Sequence, residues 1–528
     1  MRIPRRGVGC VVMLMVLGLA LGACSSLRTN FVKQSSKALP PATSTPSARY
    51  VRTEADKHLS ESGFRLLTQN TNALMSRIAL ADHAKSSIDL QYYIFNNDAT
   101  GRLVAQRLLA AADRGARVRI LIDDISANGA IDMLDALDAH PSIEVRLFNP
   151  FHVRDPSFFS KALQFALDAH RLNRRMHNNS FIVDNTVAIV GGRNIGDDYF
   201  DAGNDTNVRD LDLGAIGPVV KEASRAFDEY WNCDAAYPVT AFTGKHASHY
   251  DLAQLRADLG RDARVFAESD YALATLDELP NGPSADRPGK WFWGSAMLVA
   301  DQPEKIETGK DEPGLRIGPQ IKTMTDQAQQ ELLLISPYFV PGKNDTRYLA
   351  DTAGRGVIVK VLTNSLASND ESATHAGYSR HRRALLEGGV ELYELRAAAG
   401  TARPVTAKGK SSGLSLHAKA IVVDEQLVFI GSMNMDQRSK LLNTEMGIIV
   451  DCPQLAAAVK AFVDTAMLPA NAYHVMLTAP AGGSRGGKLQ WHGSEGGKSV
   501  TYDHDPDTAM SRRLEVRLLM LLPIDEML

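Results

Sequence analysis

Cysteine is scarce. The 528-residue chain has four, Cys10, Cys24, Cys233 and Cys452, with no Cys-x-x-Cys pair, and its 14 histidines show no ligand-like clustering. Neither a metal centre nor a cofactor is therefore expected. A surplus of one charge is missing too. Lys and Arg total 58 against 61 Asp and Glu, a formal net charge of -3. That balance argues against a protein built to coat nucleic acid, while leaving room for a local phosphate-binding patch. With 44% hydrophobic residues the chain can fill sizeable cores, and its length suits two domains or a fused pair.

The N-terminus reads as an export signal. Arg2, Arg5 and Arg6 precede an apolar run over 8–23, short of the roughly 20 residues of a membrane span. Leu21-Gly-Ala-Cys24 resembles the lipobox of bacterial lipoproteins, which implies a signal peptide over 1–23, lipidation at Cys24 and a membrane-anchored body. Ser25 after the cysteine implies the periplasmic face of the outer membrane; the inner membrane is the alternative, as is an uncleaved anchor helix. Residues 24–59, rich in Ser, Thr, Pro and Lys up to about residue 47, are expected to form a flexible tether.

Two stretches then say nearly the same thing. His177-Asn-Asn-Ser-Phe-Ile-Val-Asp184 continues to Gly191-Gly-Arg-Asn194, and His417-Ala-Lys-Ala-Ile-Val-Val-Asp424 continues to Gly431-Ser-Met-Asn434. Histidine, aspartate and asparagine recur at an offset of 240 residues. Only the lysine position differs, with Asn179 opposite Lys419. Each stretch predicts a strand, a tight turn at the aspartate and a second apolar strand. Alternation along a strand sends His417 and Lys419 to one face, placing an imidazole beside a cation.

The surrounding order is duplicated as well. A helix over 70–84, a strand over 87–95, a helix over 101–114 and strands over 117–122 and 143–148 return as strands over 331–339, 357–362 and 390–395 with a helix near 347–354. Strands alternating with helices imply an α/β architecture with parallel crossovers. The organisation expected is a first half over 60–240, a connecting segment over 241–310, a second half over 311–475 and an extension over 476–528. A basic cluster precedes each motif: His170, Arg171, Arg174 and Arg175, then Arg380, His381, Arg382 and Arg383. Each reads as a solvated face or as an electropositive rim for phosphate headgroups. Residues 512–528, rich in leucine near three arginines, could lie on a membrane surface or dock as a helix on the body. Trp291 and Trp293 suit core packing better than an interfacial anchor, and Cys233 and Cys452, which could bridge in an oxidising compartment, are expected to be unpaired and buried.

These doubled motifs resemble the His-x-Lys-x4-Asp signature of the phospholipase D superfamily. The wording Arg175-Met-His-Asn and Val190-Gly-Gly-Arg-Asn-Ile-Gly-Asp197 is most similar to its bacterial cardiolipin synthase C type branch, from about residue 60 onward. The resemblance implies a duplicated fold of two mixed β-sheets flanked by helices, with one shared active site at a pseudo-twofold interface. It implies a phosphatidyltransferase making cardiolipin from phosphatidylglycerol, with phosphatidylglycerol or phosphatidylethanolamine as donor; the alternatives are a phospholipase D hydrolase and a weakly active or inactive lipid-binding scaffold. An accessory protein is not identified.

Imidazole suits such chemistry as nucleophile and proton carrier near neutral pH. By the resemblance His177 is the nucleophile and His417 the acid/base, with a phosphohistidine between two transfer steps. Each imidazole needs an acceptor to hold its tautomer. Repeat and resemblance together nominate Glu445 in Asn443-Thr-Glu-Met-Gly447, and Asp212 in Asp210-Leu-Asp-Leu-Gly214 as its counterpart. Asp184 and Asp424, at turns, are expected to tie down backbone amides as supports of the site. Lys419, Asn194 and Asn434, helped by Ser432, are expected on the non-bridging phosphate oxygens, where Asn179 offers a neutral donor. Losing a lysine at Asn179 removes a charge-assisted contact of about 1.5–3 kcal/mol, roughly ten- to a hundredfold in rate. Arg193 or Arg175 is a candidate to compensate, and Asn179→Lys is expected to be faster.

Overall fold

The computed structural model describes residues 31, 33–43, 45–151, 168–203, 206–243, 250–272, 291–308, 312–397, 413–478 and 487–522. The signal and lipobox residues, Cys24 included, and the linker at 280–288 lie outside them.

Each half builds its sheet in one order. In the first, strands Ile143–Phe148, Arg117–Asp123 and Ser87–Tyr92 run parallel; Ser87–Tyr92 then meets the hairpin Ser180–Val183 and Val187–Gly191, followed by Asp212–Ile216 and Ser62–Leu67. In the second, Glu391–Leu395, Ile358–Asn364 and Glu331–Ile335 lead to the hairpin Ala420–Val423 and Leu427–Gly431, then Met446–Asp451 and Phe292–Ala300. The equivalent edge strands, Ser62–Leu67 and Phe292–Ala300, pair antiparallel. The two expected mixed sheets are thereby joined edge to edge into one 18-stranded sheet.

The strand period of two divides every motif strand between two cores. Ile182, Ala188 and Val190 face a central core shared with Ala420, Val422, Val428 and Ile430 of the other half. Phe181, Val183 and Ile189 face an outer layer of the first half, and Ile421, Val423 and Phe429 the equivalent layer of the second. Helices Pro218–Asn232 and Pro453–Met467 fill the central core with Phe227, Tyr230, Trp231, Val459 and Val463. Burial of this kind contributes roughly 25 cal/mol per Å² of apolar surface, so the interface between halves is itself a hydrophobic core.

Three expectations change. From residue 33 the supposed tether is bonded to the first half: Lys33 Nζ reaches the Cys233 carbonyl, Arg119 donates to Ser36 O (3.0 Å), Trp231 Nε1 donates to Ser36 Oγ (2.9 Å), and Ala42 N donates to Asp184 O (3.0 Å). Thr45 then caps the helix Pro46–Ala55. The segment placed as a connector contains Phe292–Ala300, which belongs to the second half's sheet, and the helix Leu252–Ala267, whose Leu255 and Leu259 enter the first half's outer core. In the extension, strands Leu489–Glu495 and Lys498–Tyr502 continue the sheet, and the helix Met510–Leu519 docks on Ser372–Glu387. Trp293 stacks on His58 at 4.0 Å. Cys233 and Cys452 are free thiols, the former only partly buried. No described helix is long and apolar enough to cross a membrane.

Candidate active site

Both motif turns put two consecutive non-glycine residues at positive φ, Asp184 (53°) and Asn185 (50°), then Asp424 (53°) and Glu425 (52°). Two such residues in a row suit the right-handed twist of a hairpin, here with Thr186 or Gln426 as a third loop residue, at a steric cost for residues with a Cβ. The aspartates offset it. Asp184 accepts from the backbone N–H groups of Lys85, Ser86 and Ser87 at 2.7–3.1 Å, and Asp424 from those of Gln329, Gln330 and Glu331 at 2.8–2.9 Å. Each carboxylate pins its hairpin to the neighbouring parallel strand, at the end of the hairpin away from the histidine.

At the other end the halves exchange segments. His177 N donates to Thr444 O (2.9 Å) and Thr444 N to Arg175 O (2.8 Å). Strand Gly413–Leu416 runs parallel to Thr206–Arg209, and His417 N donates to Arg209 O (2.8 Å). Each histidine thus lies beside the carboxylate of the opposite half. His177 Nδ1 is 3.0 Å from Glu445 Oε2, and His417 Nδ1 is 2.6 Å from Asp210 Oδ2. Both carboxylates are fully buried. Tyr93 and Tyr199 meet the two rings edge-on, at 5.0 and 5.1 Å between centroids.

The acceptor expected at Asp212 is Asp210. Gly431 pairs with Gly447 in the second half, and the equivalent Gly191 pairs with Asp212 in the first. Asp212 therefore corresponds to Gly447 and Asp210 to Glu445, a two-residue slip that keeps the same strand face. Asp212 instead meets Arg77 (3.0 Å) and Arg193 (3.2 Å), all three buried. Gly192 lets Asp210 approach, since a Cβ there would stand 2.5 Å from its Oδ1.

Three further expectations are corrected. Asn179 is 2% exposed and spends its amide on the backbone, accepting from Tyr93 N (3.2 Å) and donating to Gly192 O (3.0 Å). Ser432 donates to Glu445 Oε2 (2.5 Å), so its one proton steadies the carboxylate rather than a phosphate. Arg193 holds Asn70 and the carbonyls of Leu67 and Asp210, and Arg175 holds those of Leu172 and Asn149, so neither stands in for the missing lysine. The basic clusters are mostly spent as well: Arg174 caps the carbonyls of Ile306 and Thr308, and Arg382 pairs with Glu394 and Asp505.

Lys419 is the cation in the site. Its Nζ lies 3.0 Å from both ring nitrogens of His417 and donates to the His417 carbonyl (2.6 Å). Burial brings its pKa down to about 8 against the pull of Asp210 and Glu445. Burial and Lys419 together lower the His417 imidazole, with Asp210 opposing. Burial also pushes the Asp210 carboxyl up, but His417, Lys419 and Arg193 outweigh it and hold it at about 2. Asn194 Oδ1 accepts from Ile94 N (3.0 Å), while the buried Asn434 Oδ1 has no hydrogen-bond partner among the described residues. Asp436, missed in the sequence, is buried beside these groups and caps the helix Gln437–Leu441 through Ser439 N.

The chain matches the family described as "Cardiolipin synthase, PLD-like domain" over residues 78–231 and 321–466. It is 37% identical to cardiolipin synthase C of Escherichia coli K12 over 478 residues, covering 89% of this chain and 97% of that protein. It is 32% identical to an uncharacterized protein of Helicobacter pylori J99, covering 92% and 93%. Among solved structures, phosphatidylserine synthase of Haemophilus influenzae shares the fold with a TM-score of 0.56 at 13% identity, over 90% of this chain and 99% of that one.

Proposed function

Because the chain belongs to the cardiolipin synthase type of the phospholipase D superfamily, whose members are phosphatidyltransferases, we propose that it joins two phospholipids into cardiolipin. A phosphatidyl group would pass from phosphatidylglycerol or phosphatidylethanolamine to the free hydroxyl of a phosphatidylglycerol. The observation that carries this reading is the crossed pair: two imidazoles, each held at Nδ1 by a carboxylate of the opposite half, one of them beside Lys419, stand near enough for the charge of His177 to act on His417.

A phosphodiester repels nucleophiles through its own charge, so the site must supply a nitrogen base, a proton and a cation. Glu445 accepts the Nδ1 proton of His177 and leaves Nε2 as a nucleophile with no neighbouring lysine. His177 Nε2 attacks phosphorus, and the bond to the donor's headgroup oxygen breaks. His417 gives that oxygen its proton. Lys419, by lowering the imidazole's pKa, makes the imidazolium a stronger acid, and the bound phosphodiester's negative charge helps it carry the proton beforehand. His417 then takes the proton of the acceptor hydroxyl, whose oxygen displaces His177 from phosphorus. Lys419 and Asn434 meet the non-bridging oxygens. Asp210 remains ionised throughout, as its low pKa requires.

The export reading stands on Arg2, Arg5, Arg6 and Leu21-Gly-Ala-Cys24. It places the enzyme as a lipoprotein on the periplasmic side of a membrane, and Cys24→Ser is expected to abolish acyl labelling. Activity is tested by incubating the enzyme with vesicles of isotope-labelled phosphatidylglycerol and phosphatidylethanolamine and weighing the products. Cardiolipin should form and vanish in His177→Ala and His417→Ala. Phosphatidic acid as the sole product would assign hydrolysis instead.

A further inference from the structure

Eleven large hydrophobic residues stand exposed among the described residues, and five of them, Met510, Leu514, Leu518, Leu521 and Leu522, fall within 13 positions at the end of the described chain. Residues 514, 518 and 521 share one side of the helix Met510–Leu519 and the turn after it, by the i, i+4, i+7 rule. Leu514 is 56% exposed, Leu518 59% and Leu521 80%. The opposite side is already used. Val516 packs with Leu366 and Ala376, with Leu519 and Met520 beside them. Arg380 caps the carbonyls of Leu519 and Leu522, and Arg512 caps that of Asn369. The helix is therefore fixed to the body by one face while its leucine stripe points outward.

We propose that this stripe is a docking surface for an anionic lipid bilayer, seating the His417 side of the site at the headgroups. Two observations choose a bilayer. Arg517 stands exposed on the helix, and Arg512 and Arg513, though bonded to the carbonyls of Asn369 and Thr508, keep their charge there against the helix's one acid, Glu515, which suits an anionic interface. The second is position. The Asn369 carbonyl that Arg512 caps precedes Asp370, whose carboxylate accepts from Tyr338 OH (2.8 Å) and acts electrostatically on Lys419 and Tyr199. The exposed Asp370 and Glu371 are like-charged with such lipids, and the arginines offset them. This surface deepens the proposed lipid chemistry and rests on it for its purpose, though not for its geometry.

The test uses the mature acylated chain on phosphatidylglycerol vesicles carrying brominated acyl chains. A fluorophore is attached at Leu518→Cys or, as a control, at Ile358→Cys, which is half-exposed at the end of its strand away from the histidines. Lipid should quench the first probe at least several-fold more than the second. In parallel, Leu514→Glu/Leu518→Glu should lose about tenfold in kcat/KM on vesicles and nothing on a soluble short-chain phospholipid. Equal quenching of the two probes, or unchanged vesicle kinetics, overturns the proposal. So does a chain that dimerises through this face in solution, which would assign it to a second copy. Failure of the parent on the short-chain substrate would count against the catalytic reading alone, since the quenching does not depend on turnover.

Discussion

Replacing Asn179 by lysine would give the two motifs the same wording, and the structure reverses the expectation that this speeds the enzyme. Register explains why. Ile88 pairs with Val183 as Leu332 pairs with Val423, so Tyr93, whose N–H meets the Asn179 side chain, corresponds to Pro337, one residue beyond the position opposite Lys419. Proline has no N–H to satisfy. Tyr93 has one, and Asn179 Oδ1 accepts it, a service no lysine can perform. Leaving that donor unmet in a packed site costs roughly 1–3 kcal/mol, equivalent to a fall of about 2–6 °C in Tm for a large domain. A gain of 1.5–3 kcal/mol in the transition state would require the new ammonium to reach the phosphate. A lysine in the Asn179 position would instead crowd Gly192, whose carbonyl now binds that amide and whose Cα abuts Asp210. The expected outcome is a less stable and slower Asn179→Lys variant, with Asn179→Ala destabilised to a similar degree. Calorimetry and initial rates of cardiolipin formation on phosphatidylglycerol vesicles check it. A lysine variant with unchanged Tm and a tenfold higher rate would refute the account.

Asp210→Asn should lower kcat by a factor on the order of 10²–10⁴, as loss of an imidazole's orienting carboxylate does elsewhere. Asp212→Asn should instead destabilise by roughly 3–5 kcal/mol, because Arg77 and Arg193 are left buried with a broken pair, and its kcat measured well below Tm should stay near the parent's. Lys419→Met removes a charge that lowers the His417 pKa, so the His417 resonance followed by NMR should titrate at higher pH in the variant. For acid stability, Asp210 moves from an ordinary 3.8 to about 2 in the folded chain. That stabilisation, roughly 2 kcal/mol, is present above pH 3.8 and lost as pH falls through about 2. Urea unfolding should therefore show the gap between parent and Asp210→Asn narrowing from pH 5 to pH 2.5.

Much of the fold was legible because duplication writes it twice. The 240-residue offset marked both histidines, both turn aspartates and both asparagines, and the alternation of strands and helices marked the parallel core of each half. What stayed hidden has physical causes. Asp210 and Asp212 lie two residues apart on one strand face, so periodicity could not choose between them; aligning Gly214 with Gly447 chose the wrong one. Asn179 looked like a lost lysine because its partner is a backbone N–H, and Pro337 differs from Tyr93 without any pattern to announce it. The docking of residues 33–43 depends on polar contacts to Arg119, Trp231 and Asp184, which a composition rich in Ser, Thr and Pro does not reveal. Tyr93 and Tyr199 escaped notice because the repeat puts Pro337 and Ser439 in their places.

The trade of carboxylates between halves has a consequence for how activity is born. A half folding by itself would display a histidine with nothing to hold its tautomer and, in the first half, no lysine either. No partial hydrolase can therefore nibble at lipid while the chain is still being assembled, and competence arrives in a single step when the two sheets close on their common core. Separately expressed halves should each be inert and recover turnover only when mixed.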